Sequence, residues 1–488
     1  MQMNIPLVIL IGYGIVLSLL SWKATQIQKS GSGGKVLNYL LAGQKLPAIL
    51  VAVMLTGLAV GGASTVGVAE QAYKVGLSAG WYNGAWGTGG IVVGLILAAK
   101  YRRMSQRTVP EMMGTAFGGS ARLIGVVAQL LIMMTITSLQ YVAGGAILAS
   151  MLPDIFTLNT GMLASAVVFI GITLSGGYWA SGLTNVVNVI IIYIGIFAAL
   201  FYGFESLGGF EAVVQALPPE GTWFDPVSGI GVAIFAGWMA VMITMACTTQ
   251  AVVQISLAAK DEKTARNGFI IGGLLTLPAG FLCAFFGIMA AAKFPDLANP
   301  ALALPTIAAS ISPLVGGIFL AGLWAADVST AVGLLMGCST LLVQDVWKRM
   351  SAKTFSPSTE LLISRLAVFL VSVCSLGLAM TVVGILRTIT SALAITTSFT
   401  LLILANLYAP RLCKKSAGFW TILASLIVWG LWTYVPSTRI GPHLIYLEWI
   451  VCLIVFGLTY VLDSRPAAAL LPPEASKPEV PGPAVSFD

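Results

Sequence analysis

Apolar and polar positions alternate along this chain on a long scale. Extended apolar runs are separated by short polar segments, from one end almost to the other. Thirteen runs are legible, at about 5–22, 46–73, 79–99, 123–150, 160–175, 184–204, 229–253, 269–292, 312–343, 361–383, 388–409, 418–434 and 444–462. About 20 residues of helix cross roughly 30 Å of hydrocarbon, so each run predicts one span. The ten-residue alternation of a transmembrane barrel is absent. A helix satisfies its own backbone in lipid, so the pattern predicts an all-α polytopic membrane protein with 13 transmembrane helices.

Two runs carry interruptions. In LTGLAVGGASTVGVAEQAY, Gly57, Gly61, Gly62 and Gly67 surround Ser64 and Thr65. Glycines at this density weaken a helix and let the backbone approach a ligand, although they also serve plain helix packing. In GIGVAIFAGWMAVMITMACTTQ a milder interruption is expected at Gly237-Trp238. Broken helices five spans apart fit an inverted-repeat transporter, one repeat at about 46–204 and the other at about 229–410, with one leading and two trailing helices.

Composition agrees: 58% of the 488 residues are hydrophobic and 9% charged, against roughly a quarter charged in soluble chains. The net charge of +7 matters through its placement. With the N-terminus outside and the C-terminus inside, only Lys74, Lys293, Arg387 and Arg439 of the 25 Lys and Arg fall outside. That is a positive-inside pattern, not a nucleic-acid surface. The first run is preceded by MQMN, with no basic residue, and does not read as a cleaved signal. The Pro/Ala-rich residues 464–488 read as a disordered cytoplasmic tail, after a transmembrane domain spanning 1–463. One histidine, six scattered cysteines and no nucleophile elbow predict no enzyme, no organic cofactor and no His- or Cys-bound metal.

YRRMSQRTVPEMM ends in Thr108, Val109, Pro110 and Glu111, and it resembles the basic loop of the solute:sodium symporter family, whose bacterial branch the next motifs in order also resemble. QAVVQISLAAKDEKTARNG resembles its Gln-rich stretch, with Gln250, Gln254, Ala258, Ala259, Lys260, Asp261, Ala265 and Arg266; Ile255 stands where the family usually has Arg. GGASTVGVAEQAYKVGLSAGWY is similar to its first core helix, and AADVST…CSTLLVQDVWKR, with Asp345, to its eighth. The resemblance implies a LeuT-type 5+5 core and a sodium site between those two helices. On this chain that site comprises the carbonyls of Gly57, Val60 and Ala326 and the hydroxyls of Ser329 and Thr330. Ala326, Ser329 and Thr330 share one helical face, and five neutral oxygens suit a small hard cation; helix–helix hydrogen bonding is the plainer reading of the hydroxyls.

The family's Thr-Asp-x-x-Gln is replaced by Thr184, Asn185, Val186, Val187 and Asn188, and a carboxylate stands instead at Asp327. A mid-membrane carboxylate is costly and is normally kept for an ion, a partner or a cavity. Asp327 is expected to act in ion coupling, within reach of Asn185; a structural hydrogen bond is the alternative. Glu70 is expected at a solvated or gate position. The solute pocket should lie beside the breaks, drawing on Gly61, Gly62, Ser64, Thr65, Tyr82, Asn83, Trp86, Gln140, Tyr141 and Trp238. Half-helix N–H groups there could hold a small acid or amino acid, and the aromatics with Asn and Gln a sugar or nucleoside. The expected function is sodium-coupled symport of a small polar organic solute through the plasma membrane of a bacterial cell, by alternating access. Proton coupling through Asp327 and solute sensing are the alternatives. The partners are then the solute, sodium and the lipid bilayer, with no nucleic acid; the oligomeric state stays open.

Overall fold

In the computed structural model the described residues are 5–30, 41–104, 106–350, 356–382 and 384–471. The MQMN flank and residues 472–488 of the expected tail lie outside them. The principal helices are α1 (Ile5–Ser30), α2 (Ala48–Ala59), α3 (Gly62–Val75), α4 (Trp81–Ile96), α5 (Val109–Phe117), α6 (Gly119–Met151), α7 (Leu158–Ser206) and α8 (Gly231–Thr248). They continue with α9 (Gln250–Ala258), α10 (Glu262–Lys293), α11 (Pro313–Leu341), α12 (Pro357–Ala379), α13 (Ile385–Ala394), α14 (Thr396–Tyr408), α15 (Ala417–Tyr434) and α16 (Leu444–Leu462).

Among the described residues, ten helices are long and apolar enough to cross a membrane, or eleven if the pair bent by 44° after Ala59 counts as one span. The difference from thirteen lies partly at 160–175 and 184–204, which form one helical run, α7. Its 49 residues would measure about 74 Å if straight, over twice the hydrocarbon thickness. Its apolar parts, Leu158–Leu174 and Ser181–Ser206, lie on either side of residues 175–180.

Burial separates the helices by position. The most apolar window of the span Pro313–Trp347 is 89% buried, against 17% for the first helix. The segment holding Asp327 is therefore the axis of the bundle, and α1 lies at its rim. Where α4 crosses α10 the backbones nearly touch: a Cβ on Gly87 would lie 2.5 Å from the Gly273 carbonyl oxygen, and one on Gly273 as close to that of Gly87. Only glycine permits this approach, and it fixes α4 beside the break.

The sequence placed a tail from Ser464 onward, but residues 464–471 are held in place. Ala467 N–H donates to the Cys413 carbonyl at 3.0 Å and Ala468 N–H to that of Ala116 at 2.9 Å. Leu470 N–H donates to Asn406 Oδ1 at 2.9 Å, and the Leu470 side chain is buried. Composition missed this because the anchoring is by backbone groups, which any non-proline residue supplies.

Candidate functional site

The first break is set by two residues. Val60 (φ −108°, ψ 51°) ends α2, and Gly61 (φ −86°, ψ 176°) is extended before α3. The freed carbonyls are caught locally. Ala59 O accepts from Ser64 Oγ at 2.7 Å and Asn83 Nδ2 at 3.1 Å; Gly61 O accepts from Ser64 Oγ at 2.9 Å and Thr65 Oγ1 at 3.1 Å. The Ser-Thr pair that marked the interruption thus stabilises it.

The break meets α11 as expected. Thr330 Oγ1 donates to Gly57 O at 2.7 Å and Ala326 O at 3.0 Å. Ser329 Oγ donates to Ala326 O at 2.8 Å and Asn185 Oδ1 at 3.0 Å. Gly57, Ala326, Ser329, Thr330 and Asn185 therefore form one cluster of neutral oxygens; Val60 lies at the break, with no described side-chain contact to its carbonyl. Gly61 packs on Thr330, where a Cβ would lie 2.4 Å from Oγ1. A small cavity adjoins the cluster, lined in part by Ser181, Asn185 and Ser329.

Asp327 sits elsewhere on α11. It is fully buried, and neither carboxylate oxygen has a hydrogen-bond partner, so the expected pairing with Asn185 is not made. Two residues along a helix is about 200° of rotation, which turns Asp327 away from the face carrying Ser329. The carboxylate instead faces the N–H groups of Gly62 and Ala63 at the start of α3, outside hydrogen-bond geometry. Asn188 fixes the adjoining backbone: Nδ2 donates to Ala325 O at 3.1 Å, while Oδ1 accepts from Tyr13 at 2.6 Å.

A second, small cavity lies beside the break. Of the expected solute residues, Gly61, Ser64, Tyr82, Trp86 and Gln140 line it. Gly62, Thr65, Asn83, Tyr141 and Trp238 do not. Gly62 faces Asp327, and Thr65 and Asn83 hold break carbonyls. Tyr141 stacks on Phe169 and bonds Ser372. Trp238 packs edge-on against Tyr82, its ring centroid 6.1 Å away. Glu70 is partly buried, and its Oε2 accepts from Ile385 N–H at 3.2 Å, capping α13.

The second interruption lies farther along than expected. α8 runs unbroken through Gly237-Trp238, and the backbone turns extended at Thr249 (φ −66°, ψ 129°). Gly237 serves packing, since a Cβ there would meet His443 at 3.1 Å. Gln129, which the sequence reading passed over, holds both sides of the true break: Nε2 donates to Thr248 O at 2.8 Å and Oε1 accepts from Gln250 N–H at 3.1 Å. A buried amide inside an apolar run was its one signal.

The Thr-Val-Pro-Glu motif resolves into a helix cap. Thr108 Oγ1 accepts from Glu111 N–H at 3.0 Å, and Glu111 Oε2 accepts from Arg107 N–H at 2.8 Å. The same threonine donates to Asp345 Oδ2 at 2.6 Å, Arg122 Nε lies 2.7 Å from Asp345 Oδ1, and Val109 N–H donates to Gln250 Oε1 at 2.8 Å. These contacts tie α5 to α9 and to the end of the α11 segment.

Comparisons with known proteins agree with this geometry. The model of the sodium:solute symporter family matches residues 39–424. Sodium/glucose cotransporter 4 of Danio rerio is 24% identical over 480 residues, covering 86% of this chain and 70% of the relative. The sodium/glucose cotransporter of Vibrio parahaemolyticus is 24% identical over 386 residues, covering 71% and 68%. Among solved structures, a Na+-coupled sialic acid symporter in a substrate-bound outward-open state superimposes with a TM-score of 0.77 at 17% identity, over 95% of this chain and 99% of that one. A nucleobase-cation-symport-1 family transporter in a closed conformation gives 0.60 at 13% identity, over 87% and 93%. Likeness at these identities speaks to the fold, which is the LeuT-type arrangement.

Proposed function

Since the chain belongs to the sodium:solute symporter family, and is thus a multi-pass transporter of the cell membrane, we propose that it moves a small polar organic solute together with sodium by alternating access. One observation carries the reading: Gly57 O, from the break, and Ala326 O, from the central helix, converge on Thr330 Oγ1. An ion held by Gly57, Val60, Ala326, Ser329 and Thr330 ties α2 to α11. For this the Ser329 and Thr330 hydroxyls rotate, turning lone pairs to the cation and releasing the carbonyls they now bond. Neutral hard oxygens at an unwound helix suit sodium.

The ion favours the arrangement in which both helices contribute ligands, and the neighbouring cavity lies beside that same break. Sodium and solute therefore bind with mutual enhancement. Breaks after Ala59 and at Thr249 support two inverted repeats, at about 46–204 and 229–410. We further read thirteen crossings, with the N-terminus outside and the C-terminus inside, and a cytoplasmic tail. The hydroxyls and the amide of Ser64, Thr249, Tyr82 and Gln140, in an otherwise apolar and uncharged lining, support a polar organic solute, in keeping with relatives whose names specify glucose and myo-inositol.

The buried, unpartnered Asp327 favours one second reading, coupling to protons. Uptake into proteoliposomes under an imposed sodium gradient or proton gradient, one at a time, separates the two. Sodium-driven accumulation is expected. Thr330→Ala should raise the half-saturating sodium concentration about tenfold, the loss of one oxygen ligand to a charge. Accumulation that follows the proton gradient without sodium overturns the sodium reading.

A further inference from the structure

Asp327 lies at a place where a ligand's negative charge could otherwise sit. α3 starts in the middle of the protein, after extended Gly61, so its first N–H groups have no intrahelical acceptor. Such a helix start, with its positive end of the dipole, is a ready seat for an anion. Here that seat is furnished from within. A Cβ on Gly62 would lie 2.5 Å from Asp327 Oδ1, and one on Gly144 would lie 2.7 Å from Asp327 Oδ2 and 2.7 Å from Ser165 Oγ. The two glycines leave room for the carboxylate and no room beside it. Ala63 N–H already donates to Gln140 Oε1 at 3.2 Å, and Ser165 Oγ accepts from Trp324 Nε1 at 3.0 Å. Asp327 itself is fully buried, unpartnered, and directed at Gly62 and Ala63.

We propose that Asp327 is a specificity determinant: its carboxylate occupies the anion seat at the start of α3, so the transported solute is uncharged and carboxylates are excluded. The inference rests on the symporter reading above and narrows its substrate class. A second observation points the same way. The cavity that includes Gly61 and Gln140 is lined, among the described residues, by no Lys, Arg or His that could receive an acid in place of the helix start. What lines it is mainly aliphatic and aromatic surface, with the hydroxyls of Ser64, Thr249 and Tyr82 and the amide of Gln140 as its polar side-chain groups, which suits an uncharged solute. A solute carboxylate approaching Gly61 would find the helix start behind it already faced by the Asp327 side chain, which lies where a Cβ on Gly62 would stand.

The test uses the purified full chain and its melting temperature during sodium titration, with HEPES as the bulky counter-anion and formate or chloride added at constant ionic strength. Wild type should bind sodium with a half-saturation that formate and chloride leave unchanged within twofold. Asp327→Ala should become anion-dependent, its sodium half-saturation improving tenfold or more with formate or chloride. Asp327→Ser serves if the alanine variant does not fold. A saturable formate response in wild type, read without any variant, overturns the proposal. So does a folded Asp327→Ala or Asp327→Ser that binds sodium with no anion response. Matched solute pairs, glucose with glucuronate and galactose with galacturonate, add an independent reading, and stabilisation by a uronate but not its parent sugar also overturns it. Failure of wild type to respond to sodium in HEPES sinks the sodium site instead, and the formate and uronate arms still read the anion seat.

Discussion

A methyl group on Gly57 would lie 1.8 Å from Asn185 Oδ1, so Gly57→Ala displaces the side chain that bonds Ser329. The overpacking should cost about 1–3 kcal/mol, read as a lower melting temperature, and Asn185→Ala in the same chain should recover part of it. His443 gives a pH signature outside the spanning helices. Its Nδ1 accepts from Ile445 N–H at 3.2 Å, capping α16, and burial pushes its pKa down to about 4. The unfolded chain holds that proton below about 6.5 and the folded chain only below about 4. Stability from this group is thus complete above pH 6.5 and falls away as pH drops toward 4, by about 3 kcal/mol in all. Melting curves of wild type should show this slope between pH 6.5 and 4, and those of His443→Asn should be flatter there. The sequence made Ser329 and Thr330 legible because both stand about one helical turn after Ala326 and share its face. It set Asn185 beside Asp327 instead of Ser329, which lies 144 residues from Asn185, because no local pattern encodes that meeting. Asp327 was legible as a costly carboxylate, but its direction was not, because 200° of helix rotation decides what it faces.

At the scale of the element, the two breaks were unequally readable. The first announces itself through glycines and the hydroxyls that catch its carbonyls. The second has no glycine at the bend: Thr249 turns extended in an apolar setting, and its neighbours are held by Gln129 from another helix. Gly237 misled the reading because a glycine that admits a ring of His443 looks, in sequence, like one that bends a chain. The capping motif at Thr108 was visible as a pattern, while its attachment to Asp345 needed the fold. Asp345 accepts from Thr108 and pairs with Arg122 with its own side chain fully buried. Asp345→Ala leaves Arg122 and Thr108 without that acceptor and should destabilise the chain by about 3 kcal/mol. It should also speed labelling of a cysteine placed at Ile255, which lines the cavity beside Asn185. Unchanged labelling would show that this contact does not restrain the cavity.

For the whole molecule, orientation is the broadest expectation. A cysteine at Glu220, in the acidic segment between α7 and α8, should react with an impermeant maleimide on intact cells, and one at Lys414 only after permeabilisation. The reverse pattern would invert the topology. Coupling has an equally general consequence: a saturating solute should tighten sodium binding by the same factor that saturating sodium tightens the solute, measured by titration in both orders. Helix class was legible throughout because lipid leaves the backbone few choices, whereas the join between the apolar runs 160–175 and 184–204 was not, since residues 158–206 run on as helix through the expected turn. The hydrogen bonds from Tyr13 to Asn188 and on to Ala325 O reach from a rim helix to within one peptide unit of Ala326. Tilting of such a rim helix is one way a mismatch with the bilayer is taken up, so acyl-chain length would have a mechanical route to the proposed ion ligands, and sodium affinity there is expected to vary with the surrounding lipid.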